Sequence, residues 1–164
     1  MSEQAEKIFE RLEKDHDEHR ELLDQIAETS GESEERKQLF EKLTKELKGH
    51  AAAEEQALYS TMLRKPPVTD ETRHSVAEHH EIEEMLNDLA ATDMSSSAWL
   101  QRFKEFAHRY RHHIEEEEED HFPDFAELLD DEDERHMAKV FERRKKIEED
   151  EAEVTPEALE DAKA

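Results

Sequence analysis

A set of histidine and glutamate residues recurs along this chain at an offset of 63 positions: His16, His50 and Glu54 return as His79, His113 and Glu117. Within each copy the second histidine follows the first by 34 positions, and the glutamate follows that by four. The apolar residues around them move in the same register. Phe40 maps to Phe103, Leu43 to Phe106, Leu47 to Tyr110, Ile26 to Leu89, and Tyr59 to Phe122. A duplication that repeats its polar and its apolar side chains together describes two copies of one helical hairpin, sharing one pseudo-symmetric site.

The periodicity predicts four helices. The first runs from about Glu3 to about Thr29, with Ile8, Leu12, Leu22, Leu23 and Ile26 at helical spacing, and stops at Ser30 and Gly31. The second starts after Ser33 as N-cap and ends before Pro66 and Pro67. The third follows Thr69 and ends near Ala91, and the fourth, carrying Trp99, Phe103, Phe106 and Tyr110, runs toward Pro123. Only two glycines and four prolines occur among 164 residues, which agrees with an all-α chain. The expected fold is an up-down-up-down four-helix bundle with an extra C-terminal helix. Its bundle occupies about residues 1–130, in pseudo-repeats at about 3–64 and 69–127, and residues 131–164 form the extra helix and an acidic tail. The stretch from Asp131 to Glu151 is expected to pack across one end of the bundle, and the polar tail opens with a Thr155, Pro156 helix start.

Rise arithmetic places the repeated polar residues at one depth. About twelve residues, roughly 18 Å, separate His16 from the end of the first helix, and about sixteen, roughly 24 Å, separate the start of the second from His50. His79 and Glu54 agree to within a turn in the same way. With short loops, His16, His50, Glu54, His79, His113 and Glu117 therefore point into one core layer. A single His-x-x-x-Glu pair on a helix is usually exposed. Four imidazoles and two carboxylates in one interior layer are costly to bury unless cations hold them.

The donor set narrows the metal. With zero cysteines there are no thiolate ligands, so imidazole and carboxylate must serve, which suits iron, manganese or zinc. Six ligands exceed one structural zinc and fit two ions about 3.5 Å apart, His16 and His50 on one, His79 and His113 on the other, with Glu54 and Glu117 bridging. His112 is a poorer ligand candidate than His113, because its counterpart at the repeat offset is Gly49. His19, one turn after His16, is expected to line the core, orient a ligand or guard an entrance. His74, His108, His121 and His136 lack histidine counterparts and are expected at the surface, Tyr59, Tyr110 and Phe122 are expected as core packing, and most of Glu115 to Asp120 as a solvated face.

The segments Asp15-His16, His50 to Glu54-Glu55 with Tyr59, Glu78-His79, and His113 to Glu117 with Phe122-Pro123 resemble the hemerythrin-like HHE cation-binding family. The resemblance covers about residues 5–130 and implies a non-haem centre of two iron ions joined by an oxo or hydroxo bridge, meeting dioxygen, hydrogen peroxide or nitric oxide. Oxygen-carrying members use a fifth histidine on the third helix, where this chain has Ser75 four before His79 and Glu83 four after it. The pattern here is similar to the four-histidine, two-glutamate branch, associated with peroxide breakdown, nitric oxide handling or iron sensing. Glu83 or a tyrosine is a further candidate to enter the site.

The formal charge of -25 repels phosphate backbones and anionic head groups, so neither nucleic acid nor membrane is an expected partner. The charged start and the absence of a long apolar run point to a cytoplasmic protein without a signal peptide, expected as a monomer or weak homodimer. Two other functions remain open at this point. One is an iron sensing or storage module; the other is an acidic helical interaction protein whose histidines are structural.

Overall fold

The computed structural model describes residues 6–151, all of whose regular structure is helical. Four long helices, α1 (Ile8–Ala27), α2 (Glu34–Glu54), α4 (Thr69–Ala91) and α5 (Ser97–Glu116), make the bundle. They pack in a closed ring, α1 on α2, α2 on α4, α4 on α5 and α5 on α1. Short connections between successive members make the neighbours antiparallel. Ser33 caps α2 by accepting from the Arg36 amide, and Ser96 caps α5 by accepting from the Trp99 amide. Gly31, at φ 60, takes the left-handed turn between α1 and α2 that a glycine adopts without a side-chain penalty. The first helix begins later than the periodicity predicts, since Glu6 and Lys7 are not helical; the expected start at Glu3 and the Thr155, Pro156 tail lie outside the described residues.

Two features depart from unbroken α-helices. Directly after Glu54 and at Glu117 the chain widens into π-helical turns, Glu55–Tyr59 and Glu117–His121, before continuing as α3 (Ser60–Met62) and α6 (Phe122–Ala126). Such insertions recur at functional sites because they change which face the following residues present. Their near-match to the repeat offset extends the pseudo-symmetry to the backbone.

The core is divided along its length. Leu22, Leu23, Ile26, Phe40, Leu43, Trp99, Phe103 and Phe106 fill one end, and Ile8, Leu12, Leu58, Met62, Phe122, Phe125 and Phe141 fill the other. Between them lies a polar layer of buried Asp15, His16, His19, His50, Glu54, Glu78, His113 and Glu117. The first apolar end is tied by Arg36, which is 2% exposed, donates to Thr29 and to the Met94 carbonyl, and stacks 4.9 Å over Trp99. That guanidinium joins the α1/α2 connection to the α4/α5 connection.

The last described helix, α7 (Asp131–Glu151), does not cross one end as expected. It lies lengthwise against α1 and α2, from Met137 and Phe141 in the apolar end to Lys145 beside the polar layer. At Gly49 the two helices are in ordinary contact: a Cβ there would stand 3.7 Å from Glu148 Cβ and 3.9 Å from Lys145 Cγ. Its counterpart His112 is exposed, and among the described residues α7 packs on the first hairpin. No described helix is long and apolar enough to cross a membrane.

Candidate metal centre

All six residues singled out in the sequence lie at one level of the bundle. His16, His50 and Glu54 form one group of donors, His79, His113 and Glu117 another, and within each group the donor atoms lie within 4.8 Å of one another. The glutamates sit between the groups. Glu54 Oε1 is 3.7 Å from His50 Nε2 and 3.0 Å from His79 Nε2. Glu117 Oε1 is 3.0 Å from His113 Nε2 and 3.8 Å from His16 Nε2. Each carboxylate thus faces one imidazole from either half of the duplication.

The fit to cations rests on atoms that the protein leaves unpaired. Nε2 of His16, His50 and His113, both oxygens of Glu54 and Oε1 of Glu117 are buried without a hydrogen-bond partner. At about 1–3 kcal/mol for each buried unsatisfied group, six of them would cost on the order of the whole stability of a domain. Two cations with imidazole and carboxylate ligands would satisfy this layer.

The other ring nitrogens are engaged, and this decides which one faces inward. His50 Nδ1 donates to Asp15 at 2.8 Å, His16 Nδ1 to Glu118 at 2.8 Å, and His113 Nδ1 to Glu78 at 3.1 Å. A carboxylate that accepts from Nδ1–H leaves Nε2 with its lone pair toward the centre and raises its basicity. These orienting carboxylates obey the repeat: Asp15 maps to Glu78 and Glu55 to Glu118. Glu55 stands 3.6 Å from His79 Nδ1, beyond hydrogen-bond reach, so the fourth arm is looser. They were not singled out as site residues, although the offset that found the six marks them too.

The two halves differ in what neutralises these carboxylates. Lys145 Nζ of α7 lies 3.0 and 2.9 Å from the Asp15 oxygens and 3.1 Å from Glu46, and Arg11 also donates to Asp15. Burial pushes the Asp15 carboxyl up, but His50, Lys145 and Arg11 together hold it well below the usual carboxylate range. His19, Asp15 and His50 also form a donor cluster, but the Lys145 ammonium already fills the cation's place beside Asp15. In the other half, besides His113, Glu78 meets among the described residues Arg109, at 3.6 Å, and the exposed His74.

Two tyrosines do more than pack. Tyr59 donates to Glu117 Oε2 at 2.7 Å, and the Tyr110 hydroxyl lies 2.7 Å from His19 Nδ1. Burial raises both phenols well above their ordinary range, so they remain protonated. His121, expected at the surface, is 5% exposed, because the π-helical turn carries it inward onto Ser75 Oγ at 2.8 Å. His74 is exposed as expected. So are His108 and His136. Glu83 is exposed and belongs to neither donor group.

Two buried carboxylates this close cannot both be ionised without cations. Burial and the neighbouring Glu117 push Glu54 well up, whereas Glu117, despite burial, is held well down by His113. Burial, joined by the neighbouring His19 and His16, outweighs Asp15 and pushes His50 down to about 3, while Glu117 and Glu78 outweigh burial at His113 and raise it to about 9. The metal-free layer therefore stores protons where metal ions would stand. A cavity of about 410 Å³ reaches it between α2 and α4, with His50, His79, Tyr110, His113 and Glu117 in its wall and Glu83 among its outer residues.

No curated protein matches the chain. A solved structure of a hemerythrin HHE cation-binding domain-containing protein from Mycobacterium kansasii is similar over 88% of each chain, at 25% identity and a TM-score of 0.80. The hemerythrin HHE cation-binding domain model matches residues 7–125. With that span covering the bundle and both donor groups, the chain belongs to the hemerythrin HHE cation-binding domain family.

Proposed function

We propose that the chain is a non-haem di-iron protein that binds or reacts with a small ligand, namely dioxygen, hydrogen peroxide or nitric oxide, with peroxide breakdown as the leading activity. The observation that carries this is the cavity, which ends on ligand candidates from both groups and on the Tyr110 hydroxyl. His16, His50 and Glu54 would hold one iron and His79, His113 and Glu117 the other, with both glutamates placed between. An iron pair supplies a two-electron couple, which suits the conversion of two hydrogen peroxide molecules to two waters and one dioxygen.

The protein's own groups do the rest. Asp15, Glu78 and Glu118 hold three imidazoles in the tautomer that leaves Nε2 free. Tyr59 fixes the rotamer of Glu117 by donating to the oxygen that does not face His113. Tyr110, kept neutral by burial and held by His19, puts a hydroxyl at the cavity wall, where peroxide can form a hydrogen bond that dioxygen or nitric oxide forms more weakly. Leu47, Val76, Ile82 and Leu86 give the same cavity apolar patches beside the charged Lys48, Glu55, Glu83, Arg144 and Glu148.

The test is elemental analysis followed by an oxygen electrode. Two irons per chain, a loss of iron in Glu54→Ala, and oxygen evolution on adding peroxide are expected. Protein that contains no iron after growth with iron, and whose helicity is unchanged by chelators, would instead favour the interaction protein with structural histidines. Iron without peroxide turnover would leave ligand binding or iron sensing and storage as the function.

A further inference from the structure

The Glu78 carboxylate faces two ways. Its Oε1 accepts from His113 Nδ1 on the inner side and lies 3.3 Å from His74 Nε2 on the outer side. His74 Nε2 is in turn 3.0 Å from Glu116 Oε1, and the same oxygen is 3.2 Å from His121 Nε2. His112 Nε2 approaches the second Glu116 oxygen at 3.5 Å. Imidazoles from α4, α5 and the second π-helical turn therefore converge on one carboxylate outside the six-residue centre.

We propose that this cluster is a second metal site, binding one divalent transition-metal ion of the zinc or ferrous type through His74, Glu78 and Glu116, with His121 against the far side of Glu116. The spacing is what such an ion requires. Ligand bonds of about 2.0–2.2 Å place adjacent donor atoms roughly 3.0–3.5 Å apart. The donors of His74, Glu78 and Glu116 all lie within 4.8 Å of one another, and the contacts that define the cluster run from 3.0 to 3.3 Å.

Orientation and charge point the same way. His121 is 5% exposed and hydrogen-bonds through Nδ1 to Ser75, so a buried ring turns its other nitrogen toward Glu116. Other carboxylates of this layer already hold a cationic side chain, Lys145 at Asp15 and Arg20 at Glu118. Among the described residues, Glu116 has only the three histidines as ion-pair partners. Arg109 stands by the other oxygen of Glu78, which makes that residue the weaker ligand. His74 is 53% exposed in its side chain, so an ion here exchanges with solvent, unlike one in the buried centre.

The site shares Glu78 with the interior. An ion that draws Glu78 outward weakens its hold on His113, which couples the outer ion to one half of the proposed di-iron centre.

The experiment uses the whole chain after iron loading, titrated with zinc, with both metals counted after gel filtration. One zinc per chain beyond the iron is expected. His74→Ala, at an exposed position, and Glu116→Gln should each weaken zinc binding by at least about tenfold with iron content unchanged. Absence of additional zinc, or zinc binding undiminished in both variants, overturns the proposal. Zinc binding that survives in Glu54→Ala supports it independently of the di-iron centre, and zinc binding lost there places the ion in the core and overturns it.

Discussion

Replacing Asp15 by asparagine keeps the shape of the side chain and removes a buried charge on which α1, α2 and α7 meet. Asp15 is 1% exposed and accepts from His50, Lys145 and Arg11. In Asp15→Asn the Lys145 ammonium, itself 6% exposed, keeps Glu46 at 3.1 Å as its nearest counter-ion. Removing one partner of a buried ion pair costs about 3–5 kcal/mol. Glu46 retains part of the attraction, so a loss of about 2–4 kcal/mol is expected. At about 2–4 °C per kcal/mol for a chain of this size, the midpoint should fall by roughly 5–15 °C. Circular dichroism melts and urea titrations of metal-free protein measure this. Lys145→Met in the Asp15→Asn background removes the stranded charge, so the double variant should be at least about 1 kcal/mol more stable than the two single changes added together. A loss below about 0.5 kcal/mol in Asp15→Asn, or strict additivity, would refute the view that this buried pair docks α7.

Glu78→Gln, which frees His113 from its orienting carboxylate, should weaken one metal position by about 10- to 100-fold with the other less affected, as read by competition with a chelator. Binding should release protons, because His113, raised to about 9, and Glu54, raised by burial, must deprotonate to become ligands; affinity therefore climbs with pH toward about 9, and calorimetry in buffers of different ionisation enthalpy counts the protons. The His19 imidazole and the Lys145 ammonium outweigh burial and hold Glu46 down at about 2, below its unfolded value of 4.5. Its contribution is thus present above pH 4.5 and lost as the pH falls from 4.5 to about 2, which urea midpoints across that range should follow downward. Phe103→Ala, at a position 0% exposed, should cost about 3–5 kcal/mol by urea titration without changing iron stoichiometry.

The positions of the six central residues were legible because helical rise is constant: sequence distance to a turn converts directly into height, and the duplication states which heights recur. The orienting carboxylates were harder. Asp15 precedes His16 on α1 yet bonds His50 on α2, since adjacent residues on a helix point about 100° apart and one serves the neighbouring helix. The π-helical turns were not legible, because a single extra residue per turn leaves no mark on a hydrophobic pattern as short as Glu55–Tyr59. Their consequence was the misplaced His121, expected outside and found against Ser75.

By itself, then, the sequence determined the helical class, the duplicated hairpin and the depth of the imidazole layer, all of which follow from periodicity within single helices and its repetition. Only the tertiary structure decided the rest. The α7 helix has no counterpart in the duplication, so no internal register located it; buried Phe141 and Lys145 place it along α1 and α2. That contact makes the two halves chemically unequal, with Lys145 and Arg11 neutralising Asp15 while Glu78 faces exposed His74. Contacts between helices depend on which faces meet across space, and a one-dimensional pattern records each face but not its partner.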